Sequence, residues 1–233
     1  MPRQARLLLP GLPFHVVQRG VNKGAIFADD IDREHFLRLT HKAFTRYEVA
    51  LHAYVLMDNH VHLLATPACA TSLADAMRSL GNSYVQSFNR RHQRSGPLWQ
   101  GRFHSSMLDN DRYLLSVYRY IELNPVRAGL VRTAEQHPWS SVHGNLGKRH
   151  DPLLVPHAGF LALGATADER RTRYTRFLRD RRAQADAADI SEHERKQRPL
   201  GSARFLEMLR QTLGRPVRLR SPGRPPRSGR GGE

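Results

Sequence analysis

The first candidate for chemistry is a pair of histidines, His60 and His62, separated by one residue. Residues 60–66 are predicted to form a β-strand, and residues i and i+2 of a strand point to the same face. The two imidazoles therefore project together, and two nitrogens held close on a rigid strand favour a divalent-metal site. A chain with 13 histidines also produces this pattern by chance, so a structural origin stays open at this point.

The second candidate is Tyr120 with Asn124, near the end of a predicted helix that stops at Pro125. The two residues are four apart and share one helix face. In one interpretation Tyr120 is a core aromatic residue and Asn124 caps the helix end. In the other, Tyr120 is a nucleophile and Asn124 a polar ligand beside it. A phenol has a pKa of about 10, so it attacks well only when a metal or a base assists it.

The elements that must position these residues follow the order βαββαβα. The predicted strands are 14–18, 49–56, 60–66 and 99–107, and the predicted helices are 31–47, a long helix opening at Ser72, and one from Asp109 or Asn110 through Ile121. Asp30 is predicted to cap the first helix. Val49, Leu51, Ala53 and Val55 are predicted to share one strand face. This order is the split βαβ, ferredoxin-like pattern of the α+β class, an antiparallel sheet covered by helices.

The composition points to a polyanion as partner. The 233 residues carry a net charge of +16, and 33 of the 37 basic residues are arginine, which binds phosphate through a two-pronged fork. A GC-rich genome would also favour arginine over lysine, but it does not explain the excess of base over acid. A hydrophobic fraction of 39% excludes a wholly disordered chain, and no apolar run is long enough for a membrane span.

Two further observations favour the cytoplasm, with association to the nucleoid, as the location. The first residues do not form a secretory signal. The single cysteine, Cys69, allows neither an internal disulfide nor a cysteine-based zinc site.

Charge and composition divide the chain into three parts. Residues 1–146 carry +6 and hold most of the aromatic residues, so they are predicted to form a compact domain. Residues 147–213 are predicted to form a basic helical extension, with helices at 170–182 and 203–213, the second capped by Ser202. Residues 214–233 are predicted to be a disordered Arg/Pro/Gly tail. Within it, the segment around Arg224 resembles the core of an AT-hook, and a general electrostatic anchor is the alternative.

Five motifs in order carry a resemblance to a known family. They are Gln18-Arg-Gly20, Met57-Asp-Asn-His-Val-His-Leu-Leu64, Ser95-Gly-Pro-Leu-Trp-Gln-Gly-Arg-Phe103, Tyr120-Ile-Glu-Leu-Asn-Pro-Val-Arg-Ala-Gly129 and Pro138-Trp-Ser-Ser141. Over residues 8–146 the chain strongly resembles the REP-associated tyrosine transposases, a branch of the single-tyrosine HUH transposases.

The resemblance implies a metal-dependent enzyme that cuts and rejoins single-stranded DNA at hairpin-forming palindromic repeats. His60 and His62 would hold Mg²⁺ or Mn²⁺, and Tyr120 would form a 5′-phosphotyrosine while releasing a 3′-hydroxyl. Many single-tyrosine relatives carry Gln as third ligand where this chain has Asn124. A homodimer is left open. The alternatives are a domesticated DNA-binding protein that no longer cuts, and a hydrolase that uses water, with Tyr120 structural.

Eight residues are predicted to contact DNA, through phosphates or splayed bases. They are Arg90, Arg91, Arg94, Trp99, Arg102, His104, Arg127 and Arg224. For Trp99 the alternative is a place in the core, and for the three arginines of the long helix it is a solvated helix end.

Overall fold

The fold is built on a four-stranded antiparallel sheet with the strand order β2-β3-β1-β4. The computed structural model describes residues 9–109, 113–180, 183–196 and 198–213. The strands are β1 (Phe14–Arg19), β2 (Val49–Met57), β3 (His60–Pro67) and β4 (His104–Met107). The helices are α1 (Asp30–Arg46), α2 (Ser72–Arg91), α3 (Leu114–Glu122), α4 (Asn124–Arg127), α5 (Val142–Asn145), α6 (Ala158–Leu161), α7 (Ala167–Leu178), α8 (Ala183–Lys196) and α9 (Ala203–Leu213). The predicted α+β, ferredoxin-like fold is confirmed.

Helices α1 and α2 cover one face of the sheet. Five side chains of α2 that share one helix face are buried there, namely Leu73, Met77, Leu80, Tyr84 and Phe88. The N-cap of α1 is Asp29, whose side chain accepts a hydrogen bond from the backbone N–H of Asp32, so the prediction of Asp30 was wrong by one residue. Within the described part of the chain, no helix is long and apolar enough to cross a membrane.

Strand β2 does not keep one face along its length. Its register against β3 shifts between Leu51 and Ala53, which is the signature of a β-bulge. Val49 and Leu51 therefore pack toward α1 and α2, while Ala53 and Val55 pack toward α3. The predicted single face for these four residues was wrong, because one extra residue reverses the alternation.

The fourth strand is shorter than the predicted 99–107. Only His104–Met107 pairs with β1, and Trp99 forms an isolated bridge with Gly20. The loop before β4 lies against the end of β1, since the N–H of Gln100 donates to the carbonyl of Arg19 at 2.9 Å. The indole of Trp99 is half-buried against the core, 5.9 Å from the ring of Tyr84.

The chain around Pro125 also differs from its prediction. Helix α3 ends at Glu122, and a short helix, α4, follows with Pro125 in its first turn, where proline needs no hydrogen-bond donor.

Of the two residues predicted to cap the start of α3, Asn110 lies outside the described residues. The carboxylate of Asp109 accepts hydrogen bonds from the backbone N–H and the hydroxyl of Ser202 at the start of α9.

The C-terminal extension packs onto both faces of the sheet. Helices α7 and α8 contribute Tyr174 and Ile190 to the core beneath α3. Helix α9, capped by Ser202 as predicted, contributes Leu209 to the core on the opposite face. The sequence prediction missed α8 altogether and placed one helix at 170–182, where α7 spans Ala167–Leu178. The predicted tail, residues 214–233, lies outside the described residues.

A buried carboxylate anchors α3 against the extension. Glu122 is fully buried and accepts three hydrogen bonds, from the Ser141 hydroxyl at 2.6 Å, the Asn145 amide at 2.7 Å and the Tyr174 hydroxyl at 2.6 Å. Burial raises the pKa of Glu122, and these three donors oppose the rise. Because Glu122 lies two residues after Tyr120, this network fixes the helix that carries the candidate nucleophile.

We expect Tyr174→Phe to lower the free energy of unfolding by about 1–3 kcal/mol, because one carboxylate oxygen of Glu122 would lose its buried donor. Chemical denaturation followed by circular dichroism measures the change. Tyr47→Phe, at a half-buried tyrosine at the end of α1, is the matched control. An equal loss in the two variants would show that the Glu122 network does not stabilise the fold.

Candidate active site

The histidine pair lies on the sheet face that α3 covers. His60 and His62 alternate along β3 with Val61 and Leu63, which are buried on the opposite face. Their rings are 4.9 Å apart between centroids and nearly perpendicular. The predicted shared face of the two imidazoles is therefore confirmed.

The ring of His60 has a defined free nitrogen. Its Nδ1 lies 2.6 Å from the side-chain oxygen of Asn59, which can only accept a hydrogen bond, so Nδ1 carries the proton. The amide nitrogen of Asn59 donates to the carbonyl of Lys23 at 3.1 Å, which fixes the orientation of that amide. Nε2 of His60 is therefore the nitrogen with a free lone pair. Asn59, which lies in the turn before β3, therefore orients the histidine.

His62 is held by a third histidine that the sequence analysis did not single out. Nε2 of His15 on β1 lies 2.9 Å from Nδ1 of His62, and the two rings are stacked 5.1 Å apart. Both residues are about 2% exposed. When Nδ1 of His62 is the donor, its Nε2 has a free lone pair, as in His60. Strand alternation could have indicated His15 as a site residue, because His15 and Val17 share the face of β1 that lies next to this site.

Tyr120 points from α3 toward these histidines. Its ring centroid lies 5.8 Å from that of His62 and 5.6 Å from that of His15, edge-on in both cases. Burial, with the nearby charge of Glu194, raises the pKa of the Tyr120 phenol to about 12. The hydroxyl is therefore neutral at physiological pH, and a nucleophilic role requires it to lose its proton during the attack.

Glu194 from α8 completes the cluster, and the sequence analysis missed it. Its carboxylate accepts a hydrogen bond from the Tyr120 hydroxyl at 3.2 Å and lies 3.9 Å from Nδ1 of His62. Burial raises its pKa, while the Tyr120 hydrogen bond and the charges of Arg19 and Arg127 oppose the rise. Glu194 follows the buried Ile190 by four residues, so helical spacing alone would have placed it on the inward face of α8.

Arg127 packs directly against the candidate nucleophile. Its guanidinium lies 4.0 Å from the ring centroid of Tyr120 and donates to the Tyr120 carbonyl at 2.7 Å. The short helix α4, made possible by Pro125 at its start, turns Arg127 back over α3. A cation at this position can meet a phosphate that approaches the Tyr120 hydroxyl.

The imidazoles are in the protonation state that binds metals. Burial, and then the charge of Arg19, lowers the pKa of His60 to about 4, and burial also lowers the pKa of His62 well below its usual value. Neutral imidazoles offer lone pairs, so the donor set fits a divalent cation. One ligand atom each from His15, His62 and Glu194 lies within 4.8 Å of the others. Asn124 opens α4, four residues after Tyr120, and its role as a metal ligand stays a prediction.

The predicted DNA contacts differ in their surroundings. Arg91 forms ion pairs with Asp29 and Asp32, both at 2.6 Å, so it is engaged within the protein. Arg90 and Arg102 are exposed, and Arg94 is exposed with its guanidinium 5.5 Å from the ring centroid of Phe88. Arg224 lies outside the described residues. Contact of any of these residues with DNA stays a prediction.

His104 lies on the same sheet face as the histidine pair. In the register of the sheet, Val17 on β1 pairs with His62 on one side and with His104 on the other. Residues directly opposite each other share a face, so His104 and His62 are two strands apart, roughly 10 Å. The exposed His104 therefore extends the site toward the β4 edge.

Comparison with known proteins identifies the family. The protein-family model described as IS200-like transposase matches residues 9–124, a segment that includes His60, His62, Tyr120 and Asn124. The chain belongs to the IS200-like transposase family. Glu194 lies outside the matched segment, in the extension that follows the transposase domain.

Two relatives of this transposase domain share the name that the motifs suggested. A protein of Haemophilus influenzae named as a REP-associated tyrosine transposase is 28% identical over 101 residues, which cover 39% of this chain and 57% of that protein. This chain therefore spans little more than half of that relative's length. The solved structure of a REP-associated tyrosine transposase bound to a REP hairpin is similar with a TM-score of 0.51 at 19% identity. It covers 68% of this chain and 93% of its own, and supports the fold.

We expect the protein to lose stability as the pH falls from 6.5 toward 4. Burial lowers the pKa of His15 to about 3 and of His52 to about 4, so the unfolded chain binds protons in this window that the folded protein does not. Each of these two histidines should cost about 2 kcal/mol at pH 5 relative to pH 7.5.

Urea unfolding between pH 5 and 7.5 measures this dependence. His15→Gln removes one of the two groups and should make the slope shallower. His41→Gln, at an exposed histidine on α1, is the control and should leave the slope unchanged. A wild-type stability that is flat across this range would contradict the assignment of neutral buried histidines.

Proposed function

We propose that this protein is a single-stranded DNA endonuclease and strand transferase that acts through a covalent tyrosine intermediate. The observation that carries the proposal is the position of the Tyr120 side chain over the face of β3 that holds His60 and His62. Its hydroxyl donates a hydrogen bond to the Glu194 carboxylate, and the Arg127 guanidinium lies against its ring. The histidine motif at 57–64, the tyrosine motif at 120–129 and Glu194 are far apart in the chain. A purely structural tyrosine would not require such surroundings.

His60 and His62 would hold a divalent cation, Mg²⁺ or Mn²⁺, with Asn124 as the sequence-based third ligand. Such a cation, when bound, withdraws charge from the oxygens of the scissile phosphate and orients it. Asn59 and His15 keep the two imidazoles turned so that a lone pair of each is available.

The strand-cleavage step needs only groups from this site and the DNA. The phenolic oxygen of Tyr120 forms a bond to phosphorus, and the bond from phosphorus to the 3′ oxygen of the preceding nucleotide breaks. The phenol proton passes along its hydrogen bond to Glu194, which then gives it to the departing 3′ oxygen, so that a 3′-hydroxyl is released. Arg127 meets the charge on the phosphate. Attack by another 3′-hydroxyl reverses the step, because the phosphotyrosine conserves the bond energy.

The proposed substrate is DNA that folds into a hairpin, as in the related protein whose structure contains a REP hairpin. The loop that holds Arg102 lies beside the end of β1, and His104 lies on the active-site face of the sheet. These residues are positioned to contact the strand that leads into the site. The net charge of +16 supplies a further attraction to phosphates.

We expect wild-type protein, incubated with a labelled hairpin oligonucleotide and Mn²⁺, to form a covalent adduct that survives a denaturing gel. Tyr120→Phe should form none, because it lacks the attacking oxygen while keeping the buried ring. Tyr113→Phe, at a second tyrosine close to the same helix, is the control and should form the adduct. Cleavage that persists in Tyr120→Phe would support the hydrolase that uses water. Binding without cleavage by the wild type would support the domesticated DNA-binding protein.

We expect His60→Ala to abolish cleavage while retaining most of the DNA binding, because it removes a ligand of the cation and leaves the basic surface intact. Gel-shift titration and the adduct assay on the same preparation separate the two effects. His41→Ala, at an exposed histidine on the opposite layer, provides the comparison. Full cleavage by His60→Ala would overturn the assignment of the histidine pair as the metal site.

A further inference from the structure

Glu194 is an unusual carboxylate in this protein because of where it lies. It belongs to α8, outside the segment matched by the family, yet its side chain is only 16% exposed and faces the catalytic histidines. Within the described part of the chain, the basic side chain found within 4.0 Å of its carboxylate is the neutral imidazole of His62. Its neighbour Glu192, by contrast, forms an ion pair with Lys196 on the outer side of the same helix.

The other candidate ligands of the site are neutral, so a carboxylate ligand would supply its negative charge. His15, His60 and His62 are neutral donors, and the amide of Asn124 is neutral as well. Mg²⁺ and Mn²⁺ are hard cations that prefer oxygen ligands, and carboxylates above neutral amides. A site of histidines and one amide would supply no negative charge, whereas Glu194 supplies one.

The geometry brings this carboxylate to the histidines and the nucleophile together. One ligand atom each from His15, His62 and Glu194 lies within 4.8 Å of the others, and the Glu194 carboxylate is 3.9 Å from Nδ1 of His62. Because His15 supports His62 through a hydrogen bond, the ligands of the cation would be His60, His62 and Glu194, a two-histidine, one-carboxylate set typical of divalent metal sites. The same carboxylate accepts the hydrogen bond of the Tyr120 hydroxyl at 3.2 Å. A cation bound there is therefore adjacent to the attacking oxygen.

From this arrangement we infer that Glu194 is a protein ligand of the catalytic divalent cation, so that α8 of the C-terminal extension completes the metal site. The inference rests on the proposed function for the role of the cation. It places a residue of the active site about 70 residues beyond the end of the segment that the family model matches. The extension is then part of the catalytic unit as well as a source of positive charge.

The test is a titration of the metal-free full-length protein with Mn²⁺, followed by the loss of the free-ion electron paramagnetic resonance signal. Glu194→Gln keeps the shape of the side chain and removes its charge, and we expect it to weaken Mn²⁺ binding about tenfold or more. Glu192→Gln, two residues away on the outer side of α8, is the matched control and should bind as the wild type does. Asn124→Ala should weaken binding less than Glu194→Gln. Thermal unfolding of each variant without metal verifies that the fold is retained.

The outcomes separate this inference from the proposed function. Wild-type affinity in Glu194→Gln, or an equal loss in Glu192→Gln, would overturn the inference while an adduct on Tyr120 still supported the strand transferase. A larger loss in Asn124→Ala than in Glu194→Gln would also overturn it and favour the amide as third ligand. Mn²⁺ binding that depends on Glu194 without any DNA adduct would support the metal site and refute the strand transferase. Failure of the wild type to bind Mn²⁺ would overturn both.

Discussion

The anchoring of α3 on the sheet is the constraint on which the site depends, because a tyrosine on a helix must meet histidines on a strand. Two buried charged residues of α3, on either side of Tyr120, supply that anchor. Glu122 accepts hydrogen bonds from a hydroxyl before α5, an amide in α5 and the Tyr174 hydroxyl in α7. Arg119 donates to Asp186 in α8 at 2.5 Å and to the carbonyl of Phe177 at 3.0 Å. Breaking such buried contacts is costly, since the remaining partners lose their hydrogen bonds without regaining water.

The same contacts make the C-terminal extension structurally inseparable from the site. Arg119 and Asp186 join α3 to α8, and Glu194, two helical turns after Asp186, reaches the Tyr120 hydroxyl. The residue Leu200 then bridges to Leu108, next to β4, so the extension also covers an otherwise open sheet edge. Charge density alone predicts that the extension binds DNA, whereas its packing makes it a support for the helix that carries Tyr120.

The sheet contributes orientation as well as position. The antiparallel pairing of β1 with β3 places His15 beside His62, and the tight turn before β3 places Asn59 beside His60. Each partner occupies the Nδ1 side of its histidine, which leaves Nε2 of each as the nitrogen for a ligand. Partners of this kind fix both the tautomer and the ring orientation of metal-binding histidines. The desolvated surroundings lower the pKa of both imidazoles and keep them neutral at neutral pH.

The sequence by itself determined the order of elements, the shared face of His60 and His62, and the family, because alternation, helical spacing and short motifs are local properties of the chain. It also placed the Tyr120 face on α3 and the cap of α9 at Ser202. It failed at the bulge after Leu51, where one extra residue reverses the alternation, and at the fourth strand, where only His104–Met107 pairs with β1. Only the tertiary structure decided that His15 and Glu194 join the site and that Arg91 is engaged by two aspartates. Those contacts span between 47 and 132 residues of sequence, and periodicity within one element contains no information about which distant element it will pack against.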